Sequence, residues 1–367
     1  MLSKKVLRIF SLIITLTRAA GATPFSWNEK TDQIYVTKKA VKKAQFWLMV
    51  HLVFLLHVLL RTLHLQFYFE HDIATINFCL TFLFSLIMLV LMYFPQVVYY
   101  EEFVQFVNSM IIFLRNYEAT WYPHINPDHT QRHRSLPNLL YSSILNLYSV
   151  AGCLTWLYFA YPTSAIFPNG VLPPTWQSSW ITYLGIGFVY IRLVVIMASI
   201  ILMTNAITII LSFSCAPVLT IDLRGDLAPE KHESLSGLRH PGNLTVVYRM
   251  VQICHILLLE NVGYVVVSIQ FLIGQYGLIC NYAIIMHWGD MQLPAKTFLI
   301  SQNVLIQCGW VLYLSLGAWV YTNSVKVLKS WKYLKLAGKG EVRYMGKFRK
   351  SCKPVYIGYP GLLRIRK

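Results

Sequence analysis

The stretch IATINFCLTFLFSLIMLVLMYF, from Ile73 to Phe94, is 22 residues long and contains no charged side chain. A helix needs about 20 mainly apolar residues to cross the hydrocarbon core of a bilayer. Other stretches of the chain have the same character. Together they predict six spans, at about residues 44–60, 73–94, 139–161, 180–203, 262–286 and 298–321. The predicted fold class is therefore an all-α, polytopic bundle of membrane helices.

The composition favours this fold class over a soluble one. Of the 367 residues, 56% are hydrophobic and 13% are charged, whereas an ordinary globular domain has about 25% charged residues. The formal net charge of +17 would suggest nucleic acid as the partner of a soluble protein. No nucleic-acid-binding motif is present. We therefore expect the lipid bilayer, and no nucleic acid, to be a partner of this chain.

The basic residues predict the orientation of the bundle. All of the 32 lysines and arginines except Arg61, Arg192 and Lys296 lie near the two termini or in the loops after the second and fourth spans. Lysine and arginine are retained on the cytoplasmic side of a membrane. We therefore expect a multi-pass membrane protein with a cytoplasmic segment at 1–43, a transmembrane bundle at 44–321 and a basic cytoplasmic segment at 322–367.

Several segments outside the spans also have a recognisable character. Apolar residues at helical spacing predict cytoplasmic helices at 103–114 and at 247–258, the second leading into the fifth span. Residues 205–221 fit an extension of the fourth span better than a seventh span. The apolar run at 9–16 fits an interfacial amphipathic helix better than a signal peptide. Four prolines make the external loop at 162–177 a stiff, turn-rich cover, or simply a connector.

Catalytic and metal-binding motifs are not found, so we expect neither an enzyme nor a bound cofactor or metal. His124, His129 and His133 share one loop, but no cysteine joins them. The only charges near the interior of a span are Glu260 and Arg192, which is expected in the outer half of the fourth span. Carriers usually contain intramembrane carboxylates and internal repeats, so a proton-coupled carrier is disfavoured.

The outer halves of the last four spans combine aromatic rings with amides, as small-molecule sites do. The candidate ligand-binding residues are Trp156, Tyr183, Tyr190, Tyr276, Asn281 and Gln302. Tyr183, Tyr276 and Gln302 are expected to share one cavity beneath the external loop. Interfacial aromatic belts and amide contacts between helices would produce the same composition.

Short motifs carry a resemblance to a known family. They are Pro24-Phe25-Ser26-Trp27 before the first span, Tyr248-Arg249-x-x-Gln252 before the fifth, the run from Ser324 to Trp331, and Arg349-Lys350-Ser351-Cys352-Lys353-Pro354. With the cytoplasmic helix after the second span, they make the chain similar to the arthropod gustatory and odorant receptor superfamily, and particularly to its gustatory branch.

The resemblance implies a chemoreceptor subunit of the plasma membrane that takes part in taste perception. Members of the family have seven spans with a cytoplasmic N-terminus and assemble as tetrameric, ligand-gated cation channels, so a small-molecule ligand and a homo- or hetero-oligomer are implied. The seventh helix lines the pore. After Pro354 only 13 residues remain here, too few to cross a bilayer, so the pore helix is expected to be missing from this sequence. The alternative function is that of a polytopic transporter or a non-conducting membrane scaffold.

Overall fold

Long helices make up most of the protein in the computed structural model, which describes residues 3–68, 73–122, 135–232, 234–289, 291, 293–334, 336, 338–359 and 363–364. The α-helices are α1 (Lys4–Ala20), α2 (Lys38–Tyr68), α3 (Ile73–Val97), α4 (Tyr100–Trp121), α5 (Ser135–Ala160), α6 (Pro174–Gln177), α7 (Trp180–Pro217), α8 (Pro241–Met286), α9 (Leu293–Ser330) and α10 (Lys339–Ser351). Two short antiparallel hairpins pair β1 (Phe25–Asn28) with β2 (Gln33–Val36), and β3 (Gly358–Tyr359) with β4 (Leu363–Arg364).

Six helices among the described residues are long and apolar enough to cross a membrane, namely α2, α3, α5, α7, α8 and α9. The predicted polytopic helical bundle is thus confirmed. Most of these helices run well past their predicted spans. The 46 residues of α8 extend for about 69 Å at 1.5 Å per residue, roughly twice the thickness of the hydrocarbon core. The predicted extension of the fourth span is also helical, because α7 continues to Pro217 and a π-helix follows at Val218–Asp222.

Two hydrophobic clusters divide the bundle along its length. The first, called here the basic-end cluster, joins α1, the β1–β2 hairpin, α4 and α10 to the adjoining ends of α5, α7, α8 and α9. The second joins α2 and α3 to the other halves of the long helices and to the loop at 161–179. The predicted helices at 103–114 and 247–258 belong to the first cluster, in α4 and in the beginning of α8.

Helix α1 packs on the bundle itself. Ser3 caps its first turn by accepting a hydrogen bond from the Val6 amide at 3.3 Å, and Gly21 ends it with φ +81°, a conformation that favours glycine. The apolar face that includes Ile9 and Ile13 is almost fully buried, in the same cluster as the adjoining part of α7. The sequence suggested an interfacial helix. The structure instead covers this apolar face with protein.

The motif Pro24-Phe25-Ser26-Trp27 forms part of the β1–β2 hairpin. The side chain of Asn108 in α4 holds the hairpin in place, since it donates to the Ile34 carbonyl at 2.9 Å and accepts from the Ile34 amide at 2.8 Å. Phe25 also stacks on Phe103 with 5.1 Å between ring centroids. The sequence motif is therefore a docking element for α4.

Arg192 lies closer to the N-terminal helix than the sequence suggested. Its Nη2 donates to the Ala19 carbonyl at 3.2 Å, and its guanidinium lies 5.6 Å from the centre of the Trp47 ring. Trp47 is near the beginning of α2, so Arg192 is level with the end of the first span that the charge pattern assigns to the cytoplasm. A cation is favourable there, because the C-terminal end of helix α1 is the negative end of its dipole.

The loop at 162–177 inserts between helices. It consists of turns, a 3-10 helix at Pro168–Val171 and the single-turn helix α6, in agreement with the predicted turn-rich segment. Phe167 is fully buried and packs edge-on against Tyr190 at 4.9 Å. Asn169 is also buried and donates from Nδ2 to the Tyr158 hydroxyl at 3.0 Å. The loop thus closes this end of the space between α5 and α7.

Candidate functional site: a central cavity

A cavity of about 470 Å³ lies among α3, α5, α7, α8 and α9 and reaches the first turns of α4. Its lining is mainly apolar. The polar or partly polar lining residues are Ser85, Gln96, Ser143, Asn146, Thr204, Asn205, Thr208, Gln270, Gln302, Trp310 and Tyr313. The volume falls in the range of about 300–1,000 Å³ that is usual for small-molecule sites. The cavity is therefore large enough for an organic ligand.

Helical spacing explains how each helix contributes to the cavity. On α9 the lining residues are Phe298, Gln302, Ile306, Gly309, Trp310 and Tyr313. They recur at intervals of three and four residues, so they share one face of the helix. That face turns inward, and few residues of α9 are fully buried inside the protein.

The lining contains no aspartate, glutamate, lysine, arginine or histidine among the described residues. An unpaired ion is costly to bury in an apolar environment. The cavity is therefore suited to uncharged molecules. Its hydrogen-bonding groups are amides, hydroxyls and the indole of Trp310.

One polar contact joins two walls of the cavity. Gln96 of α3 donates from Nε2 to the Thr204 hydroxyl of α7 at 2.9 Å and to the Met92 carbonyl at 3.2 Å. Towards the other end, the rings of Phe82 and Phe298 approach to 6.1 Å between centroids. The lining is thus more polar near Gln96 than near these phenylalanines.

Of the six predicted ligand-binding residues, only Gln302 lines this cavity. Tyr276 is fully buried in the second cluster. Asn281 accepts a hydrogen bond from Asn303 Nδ2 at 2.7 Å, and Asn303 in turn accepts from Gln307 Nε2 at 2.8 Å. Asn281 therefore takes part in a chain of amides between α8 and α9.

The other three predicted residues lie near the loop at 162–177. Tyr158 stacks on Tyr183 at 5.8 Å and donates its hydroxyl proton to the Tyr183 carbonyl at 2.7 Å. Tyr190 is buried between Phe54 and Phe167, and Trp156 is 55% exposed. The structure does not bring Tyr183, Tyr276 and Gln302 together around the central cavity. Ligand contact by these residues remains a prediction.

Sequence reasoning missed most of the lining. Gln270, Trp310 and Tyr313 are polar or amphipathic side chains within otherwise apolar spans. That feature was the available signal, since such groups are costly to place against lipid. The predicted ligand-binding residues lie in the outer halves of the last four spans, and none of them lies in α3.

The described residues contain no group of three or more His, Cys, Asp or Glu side chains placed to hold a metal ion. His124, His129 and His133, which the sequence analysis singled out, lie outside the described residues.

The motifs of the family resemblance meet in the basic-end cluster. The Tyr248 hydroxyl lies 3.1 Å from Ser324 Oγ, which accepts a hydrogen bond from the Val355 amide at 2.7 Å. Gln252 donates from Nε2 to the Lys353 carbonyl at 2.8 Å. The Trp331 ring lies edge-on to Tyr248 at 5.1 Å. Motifs that are far apart in sequence thus pack together and form hydrogen bonds with one another at this end of the bundle.

A buried carboxylate lies in the same region. Asp222, at the end of the π-helix, is fully buried, and its Oδ2 accepts hydrogen bonds from Tyr117, at 2.9 Å, and from Tyr122. Burial and then the charge of Asp222 raise the pKa of Tyr117, which stays protonated as the donor. The loop that follows α7 is thereby fixed to the C-terminal end of α4.

Solved structures share this fold. The insect olfactory receptor OR5 from Machilis hrabei in complex with eugenol aligns with a TM-score of 0.68, at 9% sequence identity, over 98% of this chain and 92% of that chain. A second structure of OR5 from Machilis hrabei aligns with a TM-score of 0.65, at 10% identity, over 97% and 91%. The sequence matches no protein-family model and no curated protein. The resemblance seen in the sequence is thus confirmed for the fold, and this chain is a polytopic helical bundle with the fold of the insect olfactory receptors.

Proposed function

We propose that the chain is a chemoreceptor subunit of the ligand-gated cation channel type and that it binds a small uncharged molecule in the central cavity. The observation that carries the proposal is a largely apolar cavity whose described lining residues include no ionised group, in a fold shared with a receptor solved in complex with eugenol. An uncharged organic compound would bury its apolar surface there. We further propose that the subunits assemble as homo- or hetero-tetramers in the plasma membrane.

The proposed orientation puts both termini in the cytoplasm, with 1–43 and 322–367 as cytoplasmic segments around the bundle at 44–321. Epitope tags at either terminus are then expected to bind antibody only after cells are permeabilised. A tag after Pro173, in an exposed part of the loop at 162–177, is expected to bind antibody on intact cells. Labelling of a terminal tag on intact cells would contradict this orientation.

Filling the cavity tests the ligand site. Gly309 lines the cavity, and a Cβ there meets no atom within 4 Å. We expect Gly309→Phe to occupy ligand space and to raise the half-maximal concentration for evoked calcium entry by tenfold or more. Gly274→Phe is the matched control, because Gly274 of α8 has equal room but does not line the cavity. Equal responses of the two variants, at equal surface expression, would refute the site.

Calcium imaging distinguishes the proposal from the alternative of a transporter or scaffold. Cells expressing residues 1–367, and cells expressing this chain with the last span of a related receptor grafted after Pro354, are exposed to a panel of small uncharged compounds. Ligand-evoked cation entry in either case supports a channel subunit. Solute flux that follows an imposed proton or sodium gradient, without evoked current, would instead establish a carrier.

A further inference from the structure

Four buried polar atoms of the cavity lining have no hydrogen-bond partner among the described residues. They are Gln96 Oε1, Gln270 Oε1, Trp310 Nε1 and the Tyr313 hydroxyl. Buried polar groups in native proteins are nearly always paired, with protein, water or ligand. Four unpaired groups in one cavity therefore call for an occupant that can form hydrogen bonds.

The register of α8 against α9 places three of these groups at neighbouring levels. Asn281 pairs with Asn303, and a Cβ on Gly277 would lie 3.8 Å from Gln307 Nε2. The helices are thus antiparallel, so a residue that is a given number of positions earlier in α8 lies level with a residue the same number of positions later in α9. By this register Gln270 is level with Tyr313, and Trp310 is about one turn away.

The register of α3 against α8 adds the fourth group. Cys280 Sγ lies 4.0 Å from Thr81 Oγ1, and the two helices are again antiparallel. Gln96 is therefore between one and two turns from the level of Gln270. We call Gln96, Gln270, Trp310 and Tyr313 the polar belt. The cavity beyond it, towards Phe82 and Phe298, is largely apolar.

We propose that the polar belt binds the hydroxyl group of an uncharged ligand whose apolar body extends towards Phe82 and Phe298. Indole is only a donor, and the Tyr313 hydroxyl both donates and accepts. The two amide oxygens are acceptors. A ligand hydroxyl can therefore accept from Trp310 or Tyr313 and donate to Gln270 or Gln96. This inference rests on the proposed function and narrows its ligand class.

The same geometry disfavours other ligand classes. A carboxylate or an ammonium group would be buried without a counter-ion, since no described lining residue is ionised. A hydrocarbon would leave the belt unpaired and would displace any water that pairs it. A hydroxyl satisfies the belt and remains uncharged.

The test compares two probes of nearly equal shape, 4-propylphenol and 4-propyltoluene, which differ by a hydroxyl in place of a methyl group. Binding to the purified full chain in lipid nanodiscs is measured by calorimetric titration. We expect the phenol to bind about tenfold more tightly than the toluene, as one well-placed hydrogen bond in a buried site allows. Tyr313→Phe and Gln270→Leu are expected to reduce this ratio to about threefold or less, without weakening toluene binding.

Two controls lie on α8, which is one helix of the belt, but do not line the cavity. Tyr282→Phe and Gln275→Leu lie on exposed positions of α8 and are expected to keep the ratio of the wild-type chain. Unchanged toluene binding in the belt variants shows that they remain folded.

The remaining outcomes separate this inference from the proposed function. Equal binding of the two probes by the wild-type chain overturns the polar belt while leaving a ligand cavity. A wild-type ratio that survives in both belt variants means that these atoms hold water only, which also overturns the belt. If the wild-type chain binds neither probe, the polar belt is also overturned. The proposed function is then tested separately by evoked cation entry in cells.

Discussion

Trp331→Ala is expected to destabilise the protein by about 3–5 kcal/mol, the usual cost of truncating a buried tryptophan. Trp331 is 3% exposed, and its Nε1 donates to the Leu223 carbonyl at 2.9 Å. Its ring contacts Tyr248 and stacks on Phe348 of α10 at 5.9 Å. The substitution therefore removes contacts to three separate parts of the chain and leaves the buried Leu223 carbonyl without its donor.

Thermal unfolding of the purified chain in detergent measures this effect, with Trp176→Ala as the control. Trp176 is 62% exposed on the loop at 162–177, so its truncation is expected to change stability little. A Trp331→Ala protein as stable as the wild type would mean that the basic-end cluster does not hold the helices together.

Asp222→Ala is expected to destabilise the protein by about 1–3 kcal/mol, the usual cost of leaving a buried hydrogen-bond donor without its acceptor. The Tyr117 hydroxyl loses its acceptor. Burial lowers the pKa of Arg239, and the charge of Asp222, which opposes that effect, is also lost. Asp222→Asn keeps the shape and one acceptor oxygen, so it is expected to fall between Asp222→Ala and the wild type.

Asp226→Ala provides the matched control for this prediction. Asp226 lies nearby and pairs with Arg224 at 2.6 Å, but its side chain is 33% exposed. The hydrogen bond from Arg224 lowers the pKa of Asp226. Because solvent screens such a pair, its loss is expected to cost about 0–1 kcal/mol. Equal unfolding temperatures for Asp222→Ala and Asp226→Ala would refute a structural role for the buried carboxylate.

The sequence motifs indicated the fold, but they did not predict the tertiary contacts that their residues make. In the sequence, Tyr248 and Gln252 are only part of a family motif, whereas the structure shows them hydrogen-bonded to Ser324 and Lys353. The hairpin containing Phe25 was equally unexpected. Such contacts join residues about 75 to 105 positions apart, and no local pattern in the sequence encodes them.

The candidate site was predicted only in part, as the tyrosines show. Tyr276 and Tyr313 both lie in predicted apolar spans, yet the first is buried in the core and only the second lines the cavity. The amphipathic pattern that marks the buried face of a helix in water is weak here, because lipid and protein core are both apolar. The sequence therefore does not predict which face of each helix turns towards the cavity.

The sequence by itself determined that the protein is a bundle of six long apolar helices with basic segments between and after them. Both properties are local, since a run of about 20 apolar residues in a membrane must form a helix to satisfy its own backbone. Only the tertiary structure decided which faces meet, and hence the central cavity, the polar belt and the burial of Asp222. Those features depend on how helices distant in sequence pack against one another. The same type of side chain can face lipid, the protein core or the cavity, so the sequence alone does not decide among them.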